Sequence, residues 1–484
     1  MTLTRARLLV VLAAGLAATA AAQDPDRRWL AGDSHIHSQW SPRYDRTKNP
    51  PVPLKGEDAI YPTPINAQMA RKFGLSWMVT TDHGGPNHSK FNREQAYPEL
   101  QASRTSVPDV LQFYGMEINF PAMDHHTLIM PRSEVEAAAL FDIESRFDAD
   151  DAWPRVPARN TETAAREALL HLQGLSPLPL MFANHPSLSA KAIGMYGLNE
   201  PRELRRNHDA APEVYRGMEG GPGHQAGGLS PDGAPKRNAA GEPVGARGGY
   251  SNPGAGTLGG FDQMTAVVGG LWDSLLGEGR RFWIVATSDS HVHHSDTAHS
   301  GSDFWPGEFH KTYVLAHKTY DDVLGGLREG RVFAVAGDLI TELEVEARAG
   351  RAQAGLGGTL RAATGAKVKV RVRFRDPAAP NAHGDRPSVN RVDVIVGDIL
   401  GPGGDPAGDR NPSTRVIARV DRSRWKQKGE WREFDITLPA LSRSAYVRLR
   451  GTSVADLEPL MDAAGENPWL DLWFYSNPVF IDVR

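Results

Sequence analysis

Leu30-Ala31-Gly32-Asp33-Ser34-His35-Ile36-His37-Ser38 decides how this chain folds. Residues 30–36 read as a β-strand, and side chains two apart on a strand share a face. His35 and His37 can therefore reach one ion while Ile36 packs behind them. A lone His-x-His is a weak signal, because surface histidines also fall at that spacing. The same arrangement recurs along the chain, however. Asp82-His83 follows a strand expected over 75–80, Glu117 closes one over 110–117, and His125-His126 precedes one over 127–130. Asn184-His185 follows an apolar strand over 178–183, and Asp289-Ser290-His291 follows one over 282–287. Singly, each has an ordinary explanation as a solvated acid, a turn carboxylate or a surface histidine. Metal-ligand side chains at every one of these strand ends are what a barrel produces when it gathers distant residues around one point. Nitrogen and oxygen ligation without thiolate suits Zn, Mn or Fe.

Outward from these stations, strands alternate with helices. A helix over 64–73 opens on Pro64, where the missing N–H costs little, and one over 161–172 is capped by Thr161. A strand at 214–218, a helix over 261–276, a strand at 312–316 and a helix over 320–329 complete the series. That alternation predicts an α/β fold with a parallel sheet or barrel. Residues 220–260 are dense in Gly and Pro and are expected to form a mobile surface insertion, with a lid over the site as the second reading. Beyond Gly337 the pattern changes to period two at 341–346, 366–374, 391–396 and 445–450. These predict half-buried antiparallel strands in a β-sandwich-like domain. Turns fall at 376–387 and 401–412, and residues 467–484 bring Trp469, Trp473, Phe474 and Phe480 as a closing aromatic segment. The expected division is a leader at 1–22, a barrel at 23–338 and the β domain at 339–484.

The chain of 484 residues carries a formal net charge of -4 with no Lys/Arg-rich run, so a nucleic-acid partner has no electrostatic support. It has no cysteine, which excludes disulfides, thiolate clusters and lipid attachment at a lipobox. Arg5 and Arg7 precede an apolar core over 8–20, and Ala20-Ala21-Ala22 offers a cleavage site before Gln23. This pattern predicts a signal peptide and a periplasmic or secreted protein. The apolar stretch is shorter than the roughly 20 residues that span a bilayer, so no membrane span is expected after cleavage.

Taken together, Gly32-Asp33-Ser34-His35-Ile36-His37-Ser38, Thr81-Asp82-His83, Gly115-Met116-Glu117, His125-His126-Thr127, Asn184-His185-Pro186 and Ser288-Asp289-Ser290-His291 resemble the PHP (polymerase and histidinol phosphatase) superfamily. Gly330-Arg331-Val332-Phe333 resembles the segment that closes such domains. The likeness covers roughly residues 30–340 and is strongest to the stand-alone bacterial metal-dependent hydrolases. It implies a distorted (β/α)7 barrel with two or three divalent ions at the carboxyl ends of its strands. Carried over by motif, one ion takes His35, His37, Glu117 and Asp289. A second shares Glu117 and adds His125 and His185, and a third uses His83 and His291. His125 is preferred to His126 because the family pattern has a His two before a small polar residue, here Thr127. The family places an Asp or His where this chain has Pro42; Asp45 or His88 are the substitutes, or the third ion is weakly held or absent.

The resemblance further implies hydrolysis by a metal-bridging hydroxide, with a phosphomono- or phosphodiester as the expected substrate. Glu117, Asp289 and His291 are the expected catalytic groups, the last two moving a proton to the leaving group. Arg43, Lys90 and Arg93 are the candidate substrate-binding cations. A carboxyl-ester or carbamate hydrolase using the same site is the alternative. From another class, the chain is an exported binding protein with a structural metal site.

Overall fold

The computed structural model describes residues 26–250 and 255–484. The expected leader lies outside them. Strands β1 (Arg28–Ile36), β4 (Trp77–Thr80), β5 (Leu111–Asn119), β6 (His125–Ile129), β7 (Leu180–Ala183), β8 (Tyr215–Gly221) and β9 (Trp283–Ala286) run side by side in that order. A short hairpin, β2 (Arg43–Asp45) with β3 (Val52–Leu54), stands apart from them. On the other side of β1 lie β10 (His310–Ala316) and then β11 (Val332–Ala336). The helices between them are α1 (Thr63–Lys72), α2 (His88–Phe91), α3 (Tyr97–Ser106), α4 (Glu136–Phe147), α5 (Glu162–Gln173), α6 (Pro201–Ala210), α7 (Gln263–Ala266), α8 (Leu271–Gly277) and α9 (Tyr320–Glu329).

The sheet is mixed, which corrects the expectation of an all-parallel arrangement. β1, β4 and β5 are parallel neighbours, as are β7, β8 and β9. β6 runs against both β5 and β7, and β10 runs against β1 and β11. Residues 120–124, between β5 and β6, are too few for the crossover a parallel pair needs, so the chain turns back as a hairpin. The helix expected over 261–276 is broken: α7 and α8 are separated at Val267–Gly270, where Gly269 takes a left-handed φ of 74°. Packing against β1 is close at one point. A Cβ on Gly32 would stand 1.9 Å from Trp77 Cε2, so the indole lies directly on the strand that carries His35.

The segment expected to be a mobile surface loop is built into the body only at its two ends, while residues 231–246 are largely exposed, as expected of a surface insertion. Gly220 and Gly221 belong to β8, buried along its length, and residues 225–229 are buried as well. Gly223 and Gly228 approach other parts of the backbone closely, whereas Gly233 and Gly241 have open space where a Cβ would stand.

The C-terminal region contains β12 (Glu342–Ala349), β13 (Ala352–Ala354), β14 (Thr359–Ala362), β15 (Lys369–Arg375), β16 (Arg391–Asp398), β17 (Arg415–Asp421), β18 (Lys426–Lys428), β19 (Trp431–Thr437), β20 (Ala445–Thr452), β21 (Trp473–Ser476) and β22 (Val479–Val483). β13, β12, β15, β19 and β18 form a separate antiparallel sheet. Along β15 the period of two is explicit, with Val370, Val372 and Phe374 buried and Lys369 exposed. The remaining strands join the large sheet, because β21 pairs with β11. The compositional break near residue 338 is therefore crossed by backbone hydrogen bonds. It is also crossed by a buried ion pair, Arg448 Nη2 to Asp273 Oδ2 at 2.6 Å. No helix among the described residues is long and apolar enough to cross a membrane.

Candidate metal centre

The end of β1 is hydrogen-bonded to the segment that follows β9. Asp289 N donates to His35 O at 3.0 Å and His37 N donates to Ser290 O at 3.0 Å. This pairing brings Asp289 and His291 beside the first two histidines. After β4, Asp82 turns inward and accepts from Ser38 N at 2.6 Å and Ser38 Oγ at 2.9 Å, which leaves His83 to project into the site. Glu117 N donates to Asp82 O at 3.1 Å, so the β4 and β5 ends are in register where both deliver a side chain. Across the hairpin, Asn184 N donates to His125 O at 3.1 Å and sets His185 next to β6.

Glu117 is the centre of the cluster. Its Oε1 lies 3.0 Å from His185 Nε2, 3.2 Å from His125 Nδ1 and 3.4 Å from His35 Nε2. Its Oε2 lies 2.7 Å from His83 Nδ1 and 3.3 Å from His37 Nε2. Asp289 Oδ1 stands 3.1 Å from both His35 Nε2 and His37 Nε2 and 3.5 Å from His291 Nδ1. His83 Nε2 and His291 Nε2 approach to 3.4 Å. All eight residues expected as ligands thus fall in one cluster.

The electrostatics fit a cation. Glu117 and Asp289 are buried, yet Glu117 Oε2 and Asp289 Oδ1 accept no hydrogen bond, and a buried carboxylate oxygen without a donor is costly unless a charge compensates it. Burial alone would raise both carboxyl groups. The surrounding imidazoles, His125, His83 and His35 about Glu117 and His35 and His224 about Asp289, instead hold them well below the carboxylate range. Burial lowers His83 and His291, which favours the neutral form a ligand requires. At His35, His125 and His185 burial is outweighed by the neighbouring carboxylates, Asp289 and Glu117 at His35 and Glu117 at the other two, and the imidazoles are raised. His35 Nδ1 contacts Glu219 Oε1 at 2.6 Å, so its other nitrogen offers a lone pair. That Nε2 lies 2.9 Å from His37 Nε2, a distance at which one ring donates to the other or both nitrogens face a single cation. Imidazole nitrogens and carboxylate oxygens converging in this way suit a divalent ion.

Further contacts fix the rings. Glu219 Oε2 also accepts His185 N at 2.6 Å, and Glu219 Oε1 accepts Thr287 Oγ1 at 3.0 Å. Ser41 Oγ is 3.0 Å from His37 Nδ1, and Asn184 Nδ2 donates to Glu117 Oε1 at 2.8 Å. Such partners set tautomer and orientation and raise ligand basicity.

Other expected residues lie elsewhere. His126 is buried against Tyr215, its Nε2 2.9 Å from the phenol oxygen, and burial lowers it to about 4. His88 is held by Glu144 Oε1 at 2.6 Å, and Asp45 is engaged with Thr47, so neither fills the place of Pro42. Arg93 lies over the Phe141 ring, and Lys90 is exposed on α2. Arg43 is at the rim, with Nε 3.5 Å from Asp58 Oδ1.

Asp58, Glu219, His224 and Asp303 are site residues that the sequence reading passed over. Asp58 Oδ2 lies 3.6 Å from both His83 Nε2 and His291 Nε2. It sits in a loop with no periodicity to mark it. Glu219 follows the strand expected over 214–218, so the strand-end rule that singled out Glu117 applied there too. Neither protein-family models nor curated proteins give a match to this chain.

Proposed function

We propose that this chain is a metal-dependent hydrolase, a phosphoesterase of PHP type. The observation that carries the reading is Glu117, a fully enclosed carboxylate with imidazoles against both of its oxygens. Structural zinc sites are closed and four-coordinate. Here the donors exceed four, and the side chains of His125, His83 and His291 keep 32%, 23% and 15% of their exposure, so the cluster is open on one side.

Divalent ions held here would acidify water for attack on an ester and polarise the oxygen under attack. Glu117 separates two ligand groups, His125 and His185 with Oε1, His83 and His37 with Oε2, and so sets their spacing. His35 and Asp289 close the buried side. Asp58 stands with His83 and His291 as a third group, where Pro42 offers no donor. His291, at the open edge and 2.9 Å through Nδ1 from Asp289 O, is placed to pass a proton to a departing alkoxide. Arg43, exposed and 3.5 Å through Nε from Asp58 Oδ1, would offer an anionic ester a cation already partly compensated by that carboxylate.

The same reading treats β1, β4, β5, β6, β7, β8 and β9 as a distorted seven-stranded barrel, since the bridge between Ile36 and Ser290 joins the last strand's end to the first. It takes 23–338 as the hydrolase domain, 339–484 as a packing β domain, and the product of export as periplasmic or secreted. The test is metal-stripped protein, reloaded with Zn, Mn or Fe, against phosphomonoesters, phosphodiesters and carboxyl esters, with His37→Ala and Asp289→Asn alongside. Phosphate release that needs metal and is abolished in both variants is expected. Alcohol release from carboxyl esters alone selects the other ester class, and full activity after stripping overturns the proposal.

A further inference from the structure

We infer that the arm leaving β8 forms one wall of the metal centre and that His224, which it carries, is an additional cation ligand sharing Asp289 with the histidine cluster. The inference rests on the metal-dependent reading above and adds a residue that the strand ends do not supply.

His224 Nε2 lies 3.2 Å from Asp289 Oδ2 and 3.3 Å from Asp303 Oδ1. That nitrogen is buried and lacks hydrogen-bond geometry to either oxygen. Asp289 therefore divides its two oxygens as Glu117 does: Oδ1 faces His35 and His37, and Oδ2 faces His224. Ligand atoms of His224, Asp289 and His291 all lie within 4.8 Å of one another. Asp303 is itself fixed, its Oδ2 accepting His291 N at 2.5 Å and Val292 N at 2.9 Å, so its Oδ1 is held toward His224.

The backbone is committed to this placement. His224 has a left-handed φ of 62°, unfavourable for a residue with a Cβ. A Cβ on the preceding Gly223 would meet Asp289 Cβ and Ser288 O at 2.2 Å, so only glycine lets the arm run directly over the loop that bears Asp289. Strain of this kind persists where surrounding structure enforces it. His224 N donates to Ser288 O at 3.4 Å, Gln225 Nε2 donates to Gly260 O at 3.4 Å, and a Cβ on Gly228 would stand 2.9 Å from Gly465 Cα, so the arm is backed by the loop that the C-terminal region clasps. The Asp462 carboxylate accepts from Thr257 Oγ1 at 2.5 Å, Gly259 N at 2.7 Å and Gly260 N at 3.1 Å. Bridges between Leu258 and Met461 and between Arg247 and Ala464 extend the clasp. Asp462 is a positioning residue in this scheme, and His224 the ligand.

The experiment is cobalt titration of the metal-stripped full chain, read by visible absorption and by bound-metal analysis. The chains compared are the unaltered protein, His37→Ala, His224→Asn and Asp462→Asn. Asparagine tolerates the left-handed backbone but is too short to reach Asp289; His224→Gly, which fits that backbone freely, is the second variant if the first fails to fold by circular dichroism. His224→Asn should keep the tightest-bound cobalt but change its absorption band, and should weaken the most weakly held ion tenfold or more. Asp462→Asn should shift the band in the same direction by less. An unchanged band and stoichiometry in both folded His224 variants overturns this inference alone. Failure of the unaltered protein to bind cobalt beyond His37→Ala overturns the metal reading together with it.

Discussion

Glu219 Oε1 lies 2.6 Å from His35 Nδ1, and both side chains are enclosed. The same carboxylate also receives His185 N and Thr287 Oγ1, so one acid at the end of β8 fixes ligands delivered by β1 and β7. A glutamine has a single acceptor oxygen and would present N–H groups to one of these donors. Glu219→Gln is expected to weaken metal binding by about 10–100-fold, the range for loss of an orienting partner. Competition with a chelator measures it, and an affinity equal to the unaltered protein's would refute the role.

Asp273 and Arg448 form a buried pair between α8 and β20, with Nε to Oδ1 at 2.8 Å and Nη2 to Oδ2 at 2.6 Å. Neither side chain has any exposure. Asp273→Asn leaves the guanidinium enclosed without its counter-charge, which costs about 3–5 kcal/mol. Urea unfolding should register that loss as a lower midpoint. It should also show both regions of the chain unfolding together, since the pair and the β11–β21 ladder join them.

His88 gives the fold a pH dependence. Burial works against its charge, but Glu144 at 2.6 Å holds it up to about 9 from the ordinary 6.5. Its folded value exceeds its unfolded one, so the stabilisation is complete below about pH 6.5 and is lost as pH rises through about 9. His88→Gln should therefore cost more at pH 6 than at pH 10, by on the order of 3 kcal/mol at about 1.4 kcal/mol per unit. Unfolding free energies of both proteins at the two pH values test this; a difference independent of pH would rule it out.

Much of the centre was legible because strand ends are marked by apolar runs. His35, His37, His83, Glu117, His185, Asp289 and His291 each stand at such an end. α5 with its Thr161 cap and α9 over Tyr320–Glu329 were legible for local reasons, since Thr161 Oγ1 accepts from Ala164 N at 3.2 Å and Gly330 ends α9 in a left-handed turn. Strand direction was not. A run such as 127–130 has the same composition in a parallel or an antiparallel neighbour, and only the short link after β5 turns β6 around.

The sequence by itself determined which side chains are delivered to strand ends, because periodicity and turn chemistry are local properties of the chain. Tertiary structure alone decided what meets them from elsewhere. Asp58 and His224 arrive on loops whose course depends on distant partners, Ile60 N donating to His291 O at 3.4 Å beside the first and His224 N donating to Ser288 O at 3.4 Å in the second. The choice of His125 over His126 is likewise a matter of face: alternate residues on one strand point opposite ways, and Tyr215 on β8 occupies the side to which His126 turns.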